Sequence, residues 1–171
     1  ELEGRDIYIR EGCYTCHSQM IRPFKDENLR YGAYSRPGEF VYDFPFQWGS
    51  RRIGPDLQRV GGKYSEYWHY QHLKDPRSVS DASIMPGYAW MASKPLDLSL
   101  TSKKLYVMSK LGVPYSKDEI NGAQEAAQAQ ARVVSERLKA QGKIEGAETT
   151  EIVALIAYLQ RLGADFKEVR R

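Results

Sequence analysis

Apolar residues recur at helical spacing in four stretches of the chain, and the spacing collapses between them. From about Leu2 to His17, Ile7, Tyr8 and Ile9 precede Gly12, which predicts a short helix ending in a turn. Between Ile53 and about Ala92, Gly54-Pro55-Asp56-Leu57 and Gly61-Gly62 mark turns. Ser65 is placed to cap a helix carrying Tyr67, Trp68, His72 and Leu73, which Pro76 stops. Ser83-Ile84-Met85-Pro86-Gly87 then reads as extended chain and turn. Ser116 and Glu119 form a capping box. Ile120, Ala123, Ala127, Ala131, Val134 and Leu138 follow as one apolar stripe, so a single long helix is expected there, broken by Gly142 and Gly146. A last helix is expected from Thr149 or Thr150 through Ile152, Leu155, Ile156, Leu159 and Leu162 to Gly163. No stretch has strand periodicity, and the fold class is all-α.

Residues 18–52 break the pattern. Arg36-Pro37-Gly38-Glu39-Phe40 and Phe44-Pro45-Phe46-Gln47-Trp48 keep neither period, so this stretch is expected to be a long inserted loop pinned by aromatics. It either covers a functional site or docks onto a partner. Together with an inserted helical segment at 97–148 and the C-terminal helix at 149–163, it fits within a single domain of 171 residues.

Charge and composition narrow the function. The hydrophobic share of 42% with 27% charged residues is globular, and the net charge of +3 is spread along the chain without a polybasic run, which argues against nucleic acid as partner. No run of 18 or more apolar residues occurs, so no membrane span lies within these residues. The abrupt opening at Glu1-Leu2-Glu3 reads as the cut end of a longer precursor.

The chemistry sits in Cys13-Tyr14-Thr15-Cys16-His17. Two cysteines are too few for a thiolate-only zinc site or an iron–sulfur cluster, and a disulfide closing so short a loop would stabilise little. A thioredoxin-like dithiol needs a preceding strand, which is not expected here. Two thiols followed directly by histidine are the set that attaches one haem c and ligates its iron from the same side. The sixth ligand must reach the opposite face. Met20 lies too close to His17 in sequence, and Met108 reads as core. Met85 lies on non-helical chain before Pro86 and is the expected ligand, with Met91 its rival. His69 and His72, three apart on one predicted helix, are the bis-histidine alternative, although such residues are more often structural. The Gly54-Pro55 carbonyl is a candidate acceptor for His17 Nδ1–H, and Arg51, Arg52 and Arg77 are candidate partners for haem propionates. A Met/His pair raises haem potential and suits a carrier.

Gly4-Arg5-Asp6-Ile7-Tyr8, the GPDL turn, Ser83-Ile84-Met85-Pro86 and the EIVALIAYLQRLG helix resemble a class I cytochrome c. More narrowly, CYTCHSQMIRPF, QWGSRRIGPDLQRVGGKYS and HLKDPRSVSDASIMPGYAWM resemble the mono-haem subunit (subunit II) of cbb3-type cytochrome c oxidases. The resemblance covers about Gly4 to Ala92 and the last helix; residues 96–146 contribute least. It implies a helical fold around one covalent haem, held by Cys13 and Cys16 with His17 and Met85 as axial ligands. It also implies an N-terminal membrane helix absent from this chain, a place on the periplasmic face of the bacterial inner membrane, and electron relay from a di-haem cytochrome subunit toward the haem–copper catalytic subunit. The chain would not be an enzyme by itself. With both cysteines used by haem, the two-copper centre of other oxidases' subunit II has no ligands here.

Two other readings stand beside the relay subunit: a free-standing periplasmic cytochrome c carrier, and a haem enzyme or sensor in which Met85 is displaceable.

Overall fold

The computed structural model describes residues 1–49 and 51–164. Seven α-helices follow one another among them: α1 (Leu2–Arg10), α2 (Lys25–Tyr31), α3 (Glu66–Lys74), α4 (Thr101–Lys110), α5 (Lys117–Asn121), α6 (Ala123–Gly142) and α7 (Glu151–Arg161), with short 3₁₀ turns between. No strand forms among the described residues; Pro95 and Thr150 share one isolated bridge. The architecture is all-α, as the periodicity indicated.

Helix α7 is apolar all round and is therefore the centre of the molecule, buried from Glu151 through Leu159. Helices α1, α3 and α6 pack against it, with Ile7 and Tyr8, Tyr70 and Leu73, and Ala131, Val134 and Leu138 as their core faces. Of these, Ile7, Leu73, Val134 and Leu138 each stabilise by about 1.5–3 kcal/mol when taken fully from water. Helices α1 and α7 cross closely because Gly4 has no side chain: a Cβ there would lie 1.9 Å from the Ala154 carbonyl oxygen. Glu151, buried at the α7 N-terminus, is pushed up by burial, but Arg10 and Lys94 outweigh that and hold its carboxyl below the usual range.

Three local expectations are revised. The 18–52 stretch is not wholly irregular, since it contains α2 and a 3₁₀ turn at Pro37–Phe40. Helix α2 lacks a side-chain cap and is secured instead by Glu27, which binds Arg22 and Arg52 outside the helix. The expected long helix is divided at Gly122: Ser116 and Glu119 do form the capping box, but it opens the short α5. Gly122 is a weak point because glycine loses the most backbone freedom in a helix. At the other end α6 runs through Gly142, and Lys143 takes the left-handed conformation at φ 55°. Gly142 serves a different need, because a Cβ there would stand 2.0 Å from the Tyr67 ring. Ser65 caps α3 as expected, accepting from Trp68 N at 3.1 Å.

Candidate haem site

Gly12, at φ 72°, turns the chain out of α1 into one 3₁₀ turn, Cys13–Thr15. Cys16 N and His17 N both donate to the Cys13 carbonyl, at 3.2 and 3.0 Å, so the three functional side chains leave one compact turn. Both thiols are half-buried and unpaired, and burial pushes the Cys13 thiol up to about 12, keeping it protonated. The turn is fastened from behind. Tyr8 OH donates to the His17 carbonyl at 3.2 Å, its ring packs on Tyr158 at 5.5 Å, and Tyr158 OH donates to Gln19 Oε1 at 3.0 Å.

His17 Nδ1 lies 2.8 Å from the Pro55 carbonyl oxygen. A carbonyl can only accept, so Nδ1 carries the proton and Nε2 keeps its lone pair. Burial holds the imidazole below its ordinary pKa and therefore neutral, the form that binds a metal. The ring rests directly on Gly54, where a Cβ would meet Cε1 at 2.2 Å, and Gly54 N donates to the Cys16 carbonyl at 3.0 Å. The GPDL turn thus cradles the imidazole on one side and orients it on the other.

Asp56 extends this support in a way the sequence reading missed. Its buried carboxylate accepts from Ser18 Oγ at 2.5 Å, Met20 N at 2.9 Å and Gln58 N at 2.8 Å. It stands two residues after Gly54 in a motif read as a turn and as the source of the histidine's acceptor, so the available signal was a carboxylate one step from that acceptor. Arg52 joins the same cluster, donating to Ser18 Oγ at 2.7 Å, the Met20 carbonyl at 2.9 Å and Glu27 at 2.7 Å. It is also 3.5 Å from Asp56. The Arg52 guanidinium is thus held by two protein carboxylates, and a propionate would meet it in their company. Arg51 is exposed. Arg77 is exposed too, and its Nε donates to the Ser83 carbonyl at 3.2 Å.

The methionines separate by environment. Met91 is 0% exposed within the core, and Met108 is buried on α4. Met20 is tied by its backbone to Asp56 and Arg52 directly after the motif. Met85 is half-buried on non-helical chain, packed on the edge of the core, with its N–H donating to Ser83 Oγ at 3.2 Å. His69 and His72 both lie on α3. His72 stacks on Trp68 at 4.7 Å, and neither His69 Nε2 nor His72 Nδ1 has a hydrogen-bond partner among the described residues. Burial, then the neighbouring His72, lowers His69 to about 4, so it stays neutral.

This donor set fits a haem c. Two free thiols stand three positions apart, followed by a neutral imidazole whose Nε2 is unblocked. Among the described residues no group of three or more His, Cys, Asp or Glu could hold a metal ion by itself. Two clefts of about 610 and 510 Å³ along α6 are lined by none of these residues.

No curated protein matches the chain. Residues 1–166 match the family model described as "Cytochrome C oxidase, mono-heme subunit/FixO". That match spans nearly the whole chain, including the segment 96–146 that contributes least to the resemblance. A family with a single haem agrees with a chain whose only two cysteines stand in one CxxCH. The helical fold, the haem-attachment turn and this match converge, and the chain belongs to the FixO family of mono-haem subunits of cbb3-type cytochrome c oxidases, carrying one covalently bound haem c.

Proposed function

We propose that the chain is the relay of its oxidase, accepting electrons from cytochrome c donors, among them a di-haem cytochrome subunit, and delivering them toward the haem–copper catalytic subunit at the periplasmic face of the bacterial inner membrane. Family membership supplies the oxidase and the single haem. The direction of relay, the named subunits and the periplasmic side are the reading offered here. Among the described residues no helix is long and apolar enough to cross a membrane.

The observation that carries the reading is the 2.8 Å approach of His17 Nδ1 to the Pro55 carbonyl, which leaves Nε2 as an axial donor beside two unpaired thiols. Bound haem c supplies a one-electron iron(II)/iron(III) couple. Cys13 and Cys16 would hold it through thioether links. His17, held by Pro55 and wedged on Gly54, keeps a fixed tautomer and orientation, which limits reorganisation between oxidation states. Met85 would supply the opposite donor: its segment is anchored by Arg77 and Ser83, and its half-exposed thioether remains available, whereas Met91 is enclosed by core. If His17 and Met85 both hold the iron, neither face would be open to oxygen or peroxide, which favours relay over a haem enzyme or sensor.

The test is Met85→Ala, with Met91→Ala as the contrast. Met85→Ala is expected to abolish the far-red Met–iron charge-transfer band of the oxidised protein and admit carbon monoxide to the reduced form. Met91→Ala should keep that band while lowering stability by about 2–5 kcal/mol through the cavity it leaves. The opposite pattern would exchange the two assignments, and a purified chain without colour would end the haem reading altogether.

A further inference from the structure

The FixO assignment leaves an unusual stretch of surface unexplained. Residues 18–52 hold eight of the chain's 20 aromatic residues and four of its five phenylalanines. Most are turned outward: Phe24, Tyr34, Tyr42, Phe44, Phe46 and Trp48 are exposed, Phe46 at 52%. A soluble surface rarely gathers large apolar side chains this way without a partner.

Within this stretch Phe46 and Trp48 form a rigid platform. Their rings stack with centroids 4.6 Å apart and planes 4° from parallel. Both stand edge-on to the buried Phe40, at 6.4 and 5.6 Å. Arg5, buried beneath, donates to the Pro45 carbonyl at 2.9 Å, and Gln47 does the same. The platform is therefore held in place before any partner arrives, which lowers the ordering cost of binding. It also abuts the haem-attachment turn. The Trp48 carbonyl accepts from Gln19 N at 2.8 Å, and a Cβ on Gly49 would come within 3.2 Å of the carbonyl of Tyr14, an exposed residue between the two cysteines.

Charge indicates what covers it. Of the four acids in the stretch, Glu27 is bound by Arg22 and Arg52, Glu39 by Arg59 and Asp43 by Arg5, while Asp26 is the exposed one. Lys25, Arg30 and Arg51 are exposed, so the exposed charge of the stretch, beyond the acids already paired, is net positive. Stacked aromatics among arginines, with a single lysine in the stretch, are the composition of a protein–protein hot spot.

We infer that the Phe44–Trp48 platform, beside Tyr14, docks an acidic-rimmed apolar pocket on another protein subunit of the oxidase and sets the distance over which electrons leave this chain. The occupant is a protein and not lipid, because the platform adjoins the CxxCH turn, where a partner's redox centre gains from proximity and a bilayer does not. The inference rests on the relay reading above.

The test uses the assembled oxidase bearing Phe46→Ser/Trp48→Ser or, separately, Phe44→Glu. Retention of the mono-haem subunit is followed as salt is raised, together with the rate at which the reduced subunit passes electrons on. Both variants are expected to release the subunit at lower salt and slow transfer about tenfold or more, with the haem spectrum and midpoint potential unchanged. If the double variant arrives without haem because Phe40 has lost its cover, Phe44→Glu decides, since Phe44 is 45% exposed. Leu111→Ser, an exposed leucine after α4, should match wild type; an equal loss there would overturn the inference. So would haem-loaded platform variants that are retained normally. Variants that lose binding only to vesicles of anionic phospholipid would overturn it in favour of a membrane face. A wild-type subunit lacking haem would instead refute the relay reading, a separate result.

Discussion

Replacing Gly54 by alanine would put a methyl group where the His17 ring already stands. The new Cβ would lie 2.2 Å from Cε1, 2.7 Å from Nδ1 and 2.8 Å from Nε2, well inside ordinary contact. Neither side yields cheaply. Gly54 is held by its N–H on the Cys16 carbonyl at 3.0 Å, and the ring by Nδ1 on the Pro55 carbonyl at 2.8 Å. Relief requires the imidazole to move by about an ångström, enough to break that bond, since hydrogen bonds weaken steeply beyond about 3.2 Å. Losing the bond costs about 0.5–1.5 kcal/mol net. Overpacking adds about 1–3 kcal/mol, for a total near 2–4 kcal/mol. In a chain of this size that lowers the Tm by about 5–15 °C.

The assay is thermal unfolding of the haem-loaded protein by circular dichroism, read beside the visible spectrum, which reports how His17 is held. Gly38→Ala is the control: a Cβ at Gly38 meets nothing within 4 Å, and its effect should stay within about 0.5 kcal/mol. If Gly54→Ala melts with wild type and keeps an unaltered oxidised spectrum, the imidazole is not wedged as described and the reasoning fails.

Two further outcomes follow from the geometry. Hydrogen bonding to Arg52, backed by Arg22, lowers the Glu27 carboxyl from 4.5 to about 2, so it stabilises the fold fully above pH 4.5 and loses that contribution as pH falls toward 2. Glu27→Gln should therefore cost about 1–2 kcal/mol at neutral pH, allowing for solvent screening of the half-exposed Arg22, with the gap to wild type closing between pH 4.5 and 2; a gap independent of pH in denaturant titrations would refute the linkage. At the α1–α7 crossing, Gly4→Ala sets a methyl against rigid backbone, and a loss of about 2–3 kcal/mol is expected by the same measurement. A change below about 0.5 kcal/mol would mean the two helices can part without penalty.

Much of this protein is legible along the chain because the interactions involved are local. Ser65 capping α3, the Ser116–Glu119 box, the apolar stripe of α6 and the order Cys13, Cys16, His17 each involve residues close in sequence, where spacing alone decides which atoms meet. The Pro55 carbonyl, 38 residues from His17, could be named only because the GPDL turn is itself a compact signal.

The rest is set by partners far apart in sequence. Helix α2 has no cap of its own and depends on Arg52, 25 residues away from Glu27. Arg52 reads as a candidate propionate partner, and only the fold shows that Glu27 and Asp56 already stand against it. Gly142 reads as a helix stop until Tyr67 arrives against it, and the left-handed residue is then Lys143. The sequence favours Met85 over Met91 by its place before Pro86, but only packing shows that Met91 is enclosed and Met85 half-exposed. Sequence by itself determined the haem chemistry and the helical class, because covalent spacing and periodicity are properties of the chain. Tertiary structure decided which charges are neutralised, which methionine is available and which aromatics face outward, because burial and charge pairing depend on what the folded chain places next to each group.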